Sequence, residues 1–221
     1  MIFLFSLGFV RVAGAAGAAN CLEAAAVKSV LSSIKVESAD SDRFDRCREG
    51  SASHRIVQTL IFLKNLRLEK TPARSSFDQG ILKEDFWGYF SKRVKRVFAV
   101  DRMVTECRGS TLAYVSPDFD STTVYLCPGF FDSWLSVATR AEFLLHEARH
   151  FEGYGHVVCR RGLFQNQKSC DRRLQDRGSY AVSVEALSKM AERGSGLSAP
   201  SRSLLKATAL VRARTNFNET P

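Results

Sequence analysis

The run HEARHFEGYGH, His146 to His156, holds three of the four histidines of this 221-residue chain within eleven residues. On a helix, His146 and His150 are four positions and about 40° apart around the axis, so both imidazoles face one side. Glu147 lies about 60° from His150 and about 100° from His146, at the margin of that face. Gly153 is the residue type that ends a helix in a left-handed turn, and a chain reversing there can bring His156 back to the two earlier rings. Few local structures satisfy this: the helix must stop at one point and the chain must double back. The spacing provides the parts of a hydrolytic centre. These are neutral nitrogen ligands, a divalent ion that lowers the pKa of the water it holds, and a carboxylate that takes that water's proton. Zn²⁺ suits such a donor set. The competing reading is a polar helix end whose histidines make ordinary hydrogen bonds.

The rest of the chain reads as one domain around this element. CLEAAAVKSVLSSI is a run of good helix formers, and Ser38 to Ser53 is a polar loop. Ser53 is placed to cap SHRIVQTLIFLKNLR, where Ile56, Leu60 and Leu63 follow helical spacing. A further helix is predicted over Leu82 to Lys92, passing into a strand near Val94 to Val100. TLAYVS and STTVYLCP, separated by Pro117-Asp118-Phe119-Asp120, read as a hairpin. The helical period returns over about 136–153 through Val137, Ala141, Leu144, Leu145 and Ala148. A loop bounded by Cys159 and Cys170 follows, then helices over Ser179 to Arg193 and Ser201 to Arg214. Helices on either side of a small sheet make the class α+β.

Residues 1–19, an apolar run followed by VAGAAGAA, read as a signal peptide, leaving 20–221 as the folded domain. The run is short for a membrane span, and Asn20 before Cys21 does not suit a lipid anchor. Six cysteines, an even number, fit export to an oxidising compartment, secreted or periplasmic. They allow 15 pairings; proximity in sequence favours Cys21–Cys47, Cys107–Cys127 and Cys159–Cys170. The net charge of +9 is spread over Lys92, Arg93, Lys95, Arg96, Arg160, Arg161, Arg172 and Arg173. It suits anionic envelope polymers, and equally a solvated surface with no specific partner. No aromatic-interleaved or helix-turn-helix pattern accompanies it, so nucleic acid is not expected as a partner.

The full motif HExxHxxGxxH resembles the three-histidine signature of the metzincin metallopeptidases. The flanks resemble another group. VYLCPGFF, then AEFLLHEARH, then GSYAVSVEAL are similar to segments of the deuterolysin-like secreted zinc endopeptidases, the aspzincins, over about Thr123 to Leu187. Both resemblances imply a zincin-like fold and endopeptidase activity, with His146 and His150 as ligands and Glu147 as general base. They differ on the third ligand. The metzincin-type motif implies His156. The aspzincin resemblance implies an aspartate within Gly-Thr-x-Asp, a sequence absent here, and the nearest downstream candidate is Asp171.

Spacing favours His156; Asp171 is the alternative ligand, with a helix or turn cap as its ordinary reading. Glu185 is a third possibility by analogy with zincins that use a later glutamate. A helical wheel sets it about 140° from Tyr180, beside Lys189 on a solvated face. Tyr154 and Tyr180 are candidates for stabilising an oxyanion, and Met190 could form the turn that metzincins place under the metal, although its helical pattern reads as core. The expected activity is hydrolysis of a peptide or protein substrate. Two rivals are a non-catalytic envelope protein stapled by zinc and a zinc amidase acting on cell-wall polymer.

Overall fold

The computed structural model describes residues 21–219 apart from 40–43, 71–74, 76, 84, 102–103 and 110. The expected signal peptide lies outside the described residues. Helix α1 (Ala24–Leu31) leads into strand β1 (Lys35–Ser38), and α2 (Ala52–Asn65) and α3 (Phe86–Arg93) cross over to β2 (Arg96–Ala99). The hairpin β3 (Ala113–Ser116) and β4 (Asp120–Leu126) follows, then α4 (Val137–His150). A two-stranded ribbon, β5 (Val157–Val158) and β6 (Lys168–Cys170), separates α4 from α5 (Ser179–Arg193) and α6 (Ala199–Thr215). The fold is α+β, as the sequence predicts.

The main sheet has the order β1-β2-β4-β3, with β1–β2 and β2–β4 parallel and β3–β4 antiparallel. A parallel neighbour cannot be reached by a tight turn, so α2 and α3 supply the crossover from β1 to β2. Within the hairpin, Tyr114 pairs with Tyr125 and their rings stack at 5.0 Å. Val97, Val124 and Leu126 are fully buried against the helices, as are Ile56, Leu60, Leu144, Leu145 and Leu187. Four-residue β1 was not legible as a strand, because Lys35, Glu37 and Ser38 give it no apolar signature.

Helix starts follow local chemistry. Ser136 stands in extended backbone and its Oγ accepts from Thr139 N at 3.1 Å, which sets the first turn of α4. At α2 the cap is Ser51, not Ser53: Ser51 Oγ accepts from His54 N at 3.2 Å, and Ser53 lies buried inside the first turn. All three expected disulfides are present: Cys21–Cys47, Cys107–Cys127 and Cys159–Cys170. The last pins the ribbon that follows His156. Among the described residues, no helix is long and apolar enough to cross a membrane.

Candidate metal centre

Ala141, Leu144, Leu145 and Ala148 are all fully buried, so the apolar face of α4 is locked into the core and its C-terminal turn has little rotational freedom. The helix ends at His150. Glu152 N and Gly153 N donate back to Arg149 O and His150 O, and Gly153 takes φ +83°, the left-handed value that favours glycine. The chain reverses there and His156 returns. Ring centroids of His146, His150 and His156 lie 4.7–5.1 Å apart. One ligand nitrogen from each ring lies within 4.8 Å of the other two. His146 Nε2 and His156 Nε2 are 3.2 Å apart. Two nitrogens bound tetrahedrally to one zinc stand about 3.3 Å apart.

The far nitrogens of the three rings are all occupied. His150 Nδ1 lies 2.5 Å from the carbonyl of Tyr154, with Ser179 Oγ at 3.1 Å. His156 Nδ1 lies 3.2 Å from Asp171 Oδ1. His146 Nδ1 lies 2.9 Å from Ser183 Oγ. A carbonyl and a carboxylate only accept, so His150 and His156 carry their hydrogens on Nδ1 and leave Nε2 bare. The bare Nε2 of His156 therefore lies 3.2 Å from His146 Nε2, a separation at which the two nitrogens can share a hydrogen or a cation. Hydrogen bonds of this kind, on the ring edge away from the ion, orient metal-binding histidines.

The electrostatics favour neutral ligands. Burial, then the charges of His150 and His156, hold His146 well below the usual histidine range. Burial lowers His150 to about 4, with His156 adding to it. Glu147, 6% exposed, is pushed up to about 8 by burial and then by the Glu142 carboxylate. Its Oε2 is buried with no hydrogen-bond partner among the described residues. A buried acceptor without a partner is costly, and a cation with its water would satisfy it. The donor set and this orphaned oxygen both fit a bound divalent ion.

Asp171, 5% exposed, bonds His156 rather than joining the three rings, and its Oδ2 accepts from Tyr180 N at 2.8 Å. It thus caps the first turn of α5 from outside the helix. Gly178 at the N-cap makes room: a Cβ there would come within 2.4 Å of Asp171 Oδ2. Asp171 is itself held by backbone bonds from Asp171 N to Asn216 O and from Asn218 N to Asp171 O.

Tyr180 stacks on His156 at 4.8 Å and meets His146 edge-on at 4.7 Å. Burial, reinforced by neighbouring carboxylates, pushes its phenol up to about 12. Tyr154 contributes its carbonyl; its ring lies under the Arg149 guanidinium at 3.7 Å. Arg149 also donates to the Arg177 carbonyl and pairs with Glu152, which Arg93 holds in turn. These contacts brace the reversal after α4. Met190 is fully buried in the core of α5.

Glu185 departs from the wheel. It is fully buried, its carboxylate accepts from Gln79 N, Ile81 N and Leu82 N at 3.0–3.1 Å, and Lys189 Nζ lies 2.7 Å away. Lys189 is also buried and pairs with Asp78. The expected solvated face does not exist because α5 packs between α4 and α6 while residues 77–83 cover its remaining side. Among site residues the sequence reading missed Ser179 and Ser183. A pair of serines four apart, one turn from each other at the start of α5 and flanking Tyr180, was the available signal. No family model, curated protein or solved structure matches the chain.

Proposed function

We propose that this protein is an exported zinc metallopeptidase that cleaves peptide bonds at the His146–His150–His156 centre. The observation that carries the reading is the convergence of three imidazoles whose outer nitrogens are held by Tyr154, Asp171 and Ser183, beside the unpartnered Glu147 carboxylate. His146 is buried while His150 and His156 are half-buried, so the centre is open on one side to solvent and substrate. Three disulfides favour an oxidising compartment.

His146, His150 and His156 would hold the ion, and its Lewis acidity would polarise a scissile carbonyl and lower the pKa of a water to about 7. Glu147 takes the proton from the attacking water as its oxygen bonds to the carbonyl carbon. The same carboxyl then delivers that proton to the amine nitrogen as the C–N bond breaks. Burial raises the Glu147 carboxyl, and the charge of a bound ion would oppose that rise and keep it ionised to take the proton. Tyr180, protonated throughout the neutral range, is available to donate to the developing oxyanion.

The test measures zinc content and hydrolysis of an unstructured protein substrate by the wild type and by Glu147→Gln. The expected result is unchanged zinc stoichiometry with a ~10²–10⁴-fold loss of rate. Full activity in the variant removes Glu147 from the mechanism. A wild type that holds zinc and unfolds on chelation, yet cleaves nothing, returns the site to a purely structural staple.

A further inference from the structure

Arg160 and Arg172 are exposed, and among the described residues neither guanidinium has a hydrogen bond or an ion pair. Their neighbour Arg173, in contrast, pairs with Asp176 at 3.1 Å and reaches Glu219 at 3.9 Å. The two unpaired arginines line one cleft of about 400 Å³, a volume in the range of small-ligand sites. Its apolar lining is Val157, Val158 and Cys159, and among the described residues no carboxylate lines it. Val158 is 53% exposed, so an aliphatic surface stands open in the same cleft as two positive charges.

Both arginines stand on pinned backbone. Arg160 N donates to Asn218 Oδ1 at 2.7 Å, and Asn218 Nδ2 donates to Val158 O at 2.9 Å. Glu219 N donates to Arg172 O at 3.0 Å. The C-terminal segment therefore holds both positions, and the Cys159–Cys170 disulfide ties together the strands that carry them. Two like charges held in one cleft repel, and an anion between them removes that repulsion. A guanidinium favours a carboxylate, which it can grip through two parallel hydrogen bonds. The cleft also adjoins the metal centre along the chain. Val157 follows His156, and Arg172 follows Asp171, whose carboxylate bonds His156. Each wall thus begins one residue, about 3.8 Å of backbone, from that bonded pair.

We infer that this cleft is a subsite for an acidic side chain of the peptide substrate, with Arg160 and Arg172 as its specificity-determining residues. Glutamate suits it best: its methylenes match the open valine surface, and its carboxylate matches the two guanidinium groups. The inference rests on the peptidase reading of the metal centre. It gives two of the charges behind the net +9 a defined partner rather than a general attraction to polyanions.

The experiment uses the zinc-loaded full chain and internally quenched peptides. A single Glu is moved through each position on either side of the cleaved bond, and every peptide is compared with its Gln counterpart. At one position Glu is expected to raise kcat/KM over Gln ~3–30-fold, the yield of two partly exposed ion pairs, chiefly through KM. Arg160→Gln combined with Arg172→Gln is expected to lower kcat/KM for the Glu peptide to that for the Gln peptide. Arg172→Glu is expected to turn the preference at that position from Glu to Lys. Arg173→Gln, which removes the same charge outside the cleft, keeps the Glu preference. Both cleft arginines are exposed, so these variants fold as the wild type does. Equal cleavage of Glu and Gln peptides at every position overturns the subsite. So does a preference that survives the double variant, or one that Arg173→Gln abolishes equally. If Glu and Gln peptides are cleaved alike while soluble polyphosphate binds the wild type and not the double variant, the cleft serves an anionic polymer and the inference fails. A zinc-loaded wild type that cleaves no peptide refutes the peptidase reading and the subsite with it. Cleavage without a Glu preference refutes only the subsite.

Discussion

Replacing Asp171 with asparagine separates a residue that orients a ligand from a residue that is one. The carboxylate serves two donors, His156 Nδ1–H at 3.2 Å and Tyr180 N–H at 2.8 Å, while only 5% exposed. Asparagine has the same shape but one acceptor and one donor. If its oxygen stays with Tyr180, its NH₂ faces His156 Nδ1 and favours the tautomer with hydrogen on Nε2, the wrong one for coordination. If the oxygen turns to His156, two N–H groups meet at the start of α5. Loss of such an outer partner weakens metal binding ~10–100-fold, or about 1.4–2.8 kcal/mol. One buried donor left unsatisfied costs about 1–3 kcal/mol of metal-free stability. Zinc affinity by chelator competition and denaturant unfolding in chelator read the two effects separately. His156→Ala is expected to lose zinc binding altogether. Wild-type affinity in Asp171→Asn would refute the orienting role. If Asp171→Asn abolished binding while His156→Ala retained it, the ligand set would be His146, His150 and Asp171.

Three other outcomes test the scaffold. Glu185→Ala leaves Lys189 buried and removes the acceptor of three backbone N–H groups. It is expected to cost about 3–5 kcal/mol in chemical denaturation, and a loss below 1 kcal/mol would mean that residues 77–83 are held some other way. Replacing Cys159 and Cys170 together by serine opens a bridge between residues 11 apart in sequence. A loss of about 3 kcal/mol is expected, with weaker zinc binding because the ribbon after His156 is released; unchanged stability would refute the staple. Asp120 is held well below the usual carboxylate range, first by the Thr123 hydroxyl and the Thr122 N–H. Its folded-state pKa lies below its unfolded one, so its contribution is complete above about pH 4 and is lost as pH falls further. The stability gap between wild type and Asp120→Asn should therefore be constant at neutral pH and narrow below about pH 4. A gap that widens on acidification contradicts the assignment.

What the sequence made legible follows from range. The motif is local: two histidines one turn apart, and a glycine whose left-handed turn brings back a third, are consequences of helix geometry over eleven residues. Sequential disulfides are nearly as local, and the hairpin around Pro117 to Asp120 lies within one turn. The reading failed where burial was decided by distant segments. A wheel assigns Glu185 to solvent because it assumes one buried face. Helix α5 is enclosed on every side, and the group covering Glu185 comes from residues 77–83, more than a hundred positions away.

The same reason separates the ligands from the groups that hold them. His146, His150 and His156 form a pattern because they share one helix end. Tyr154, Asp171 and Ser183 are drawn from the turn after α4, the segment after β6 and helix α5, and no spacing connects them. The choice between His156 and Asp171 looked in sequence like a competition for one coordination position. In the folded chain the two residues are bonded to each other, and the aspartate's second oxygen anchors the first turn of α5. A single carboxylate thus ties the tautomer of a ligand to the placement of the helix that carries Tyr180 and Ser183. That linkage makes a coordinated failure the expected consequence of Asp171 substitution: the ligand, the capped helix and the residues arranged on it move together.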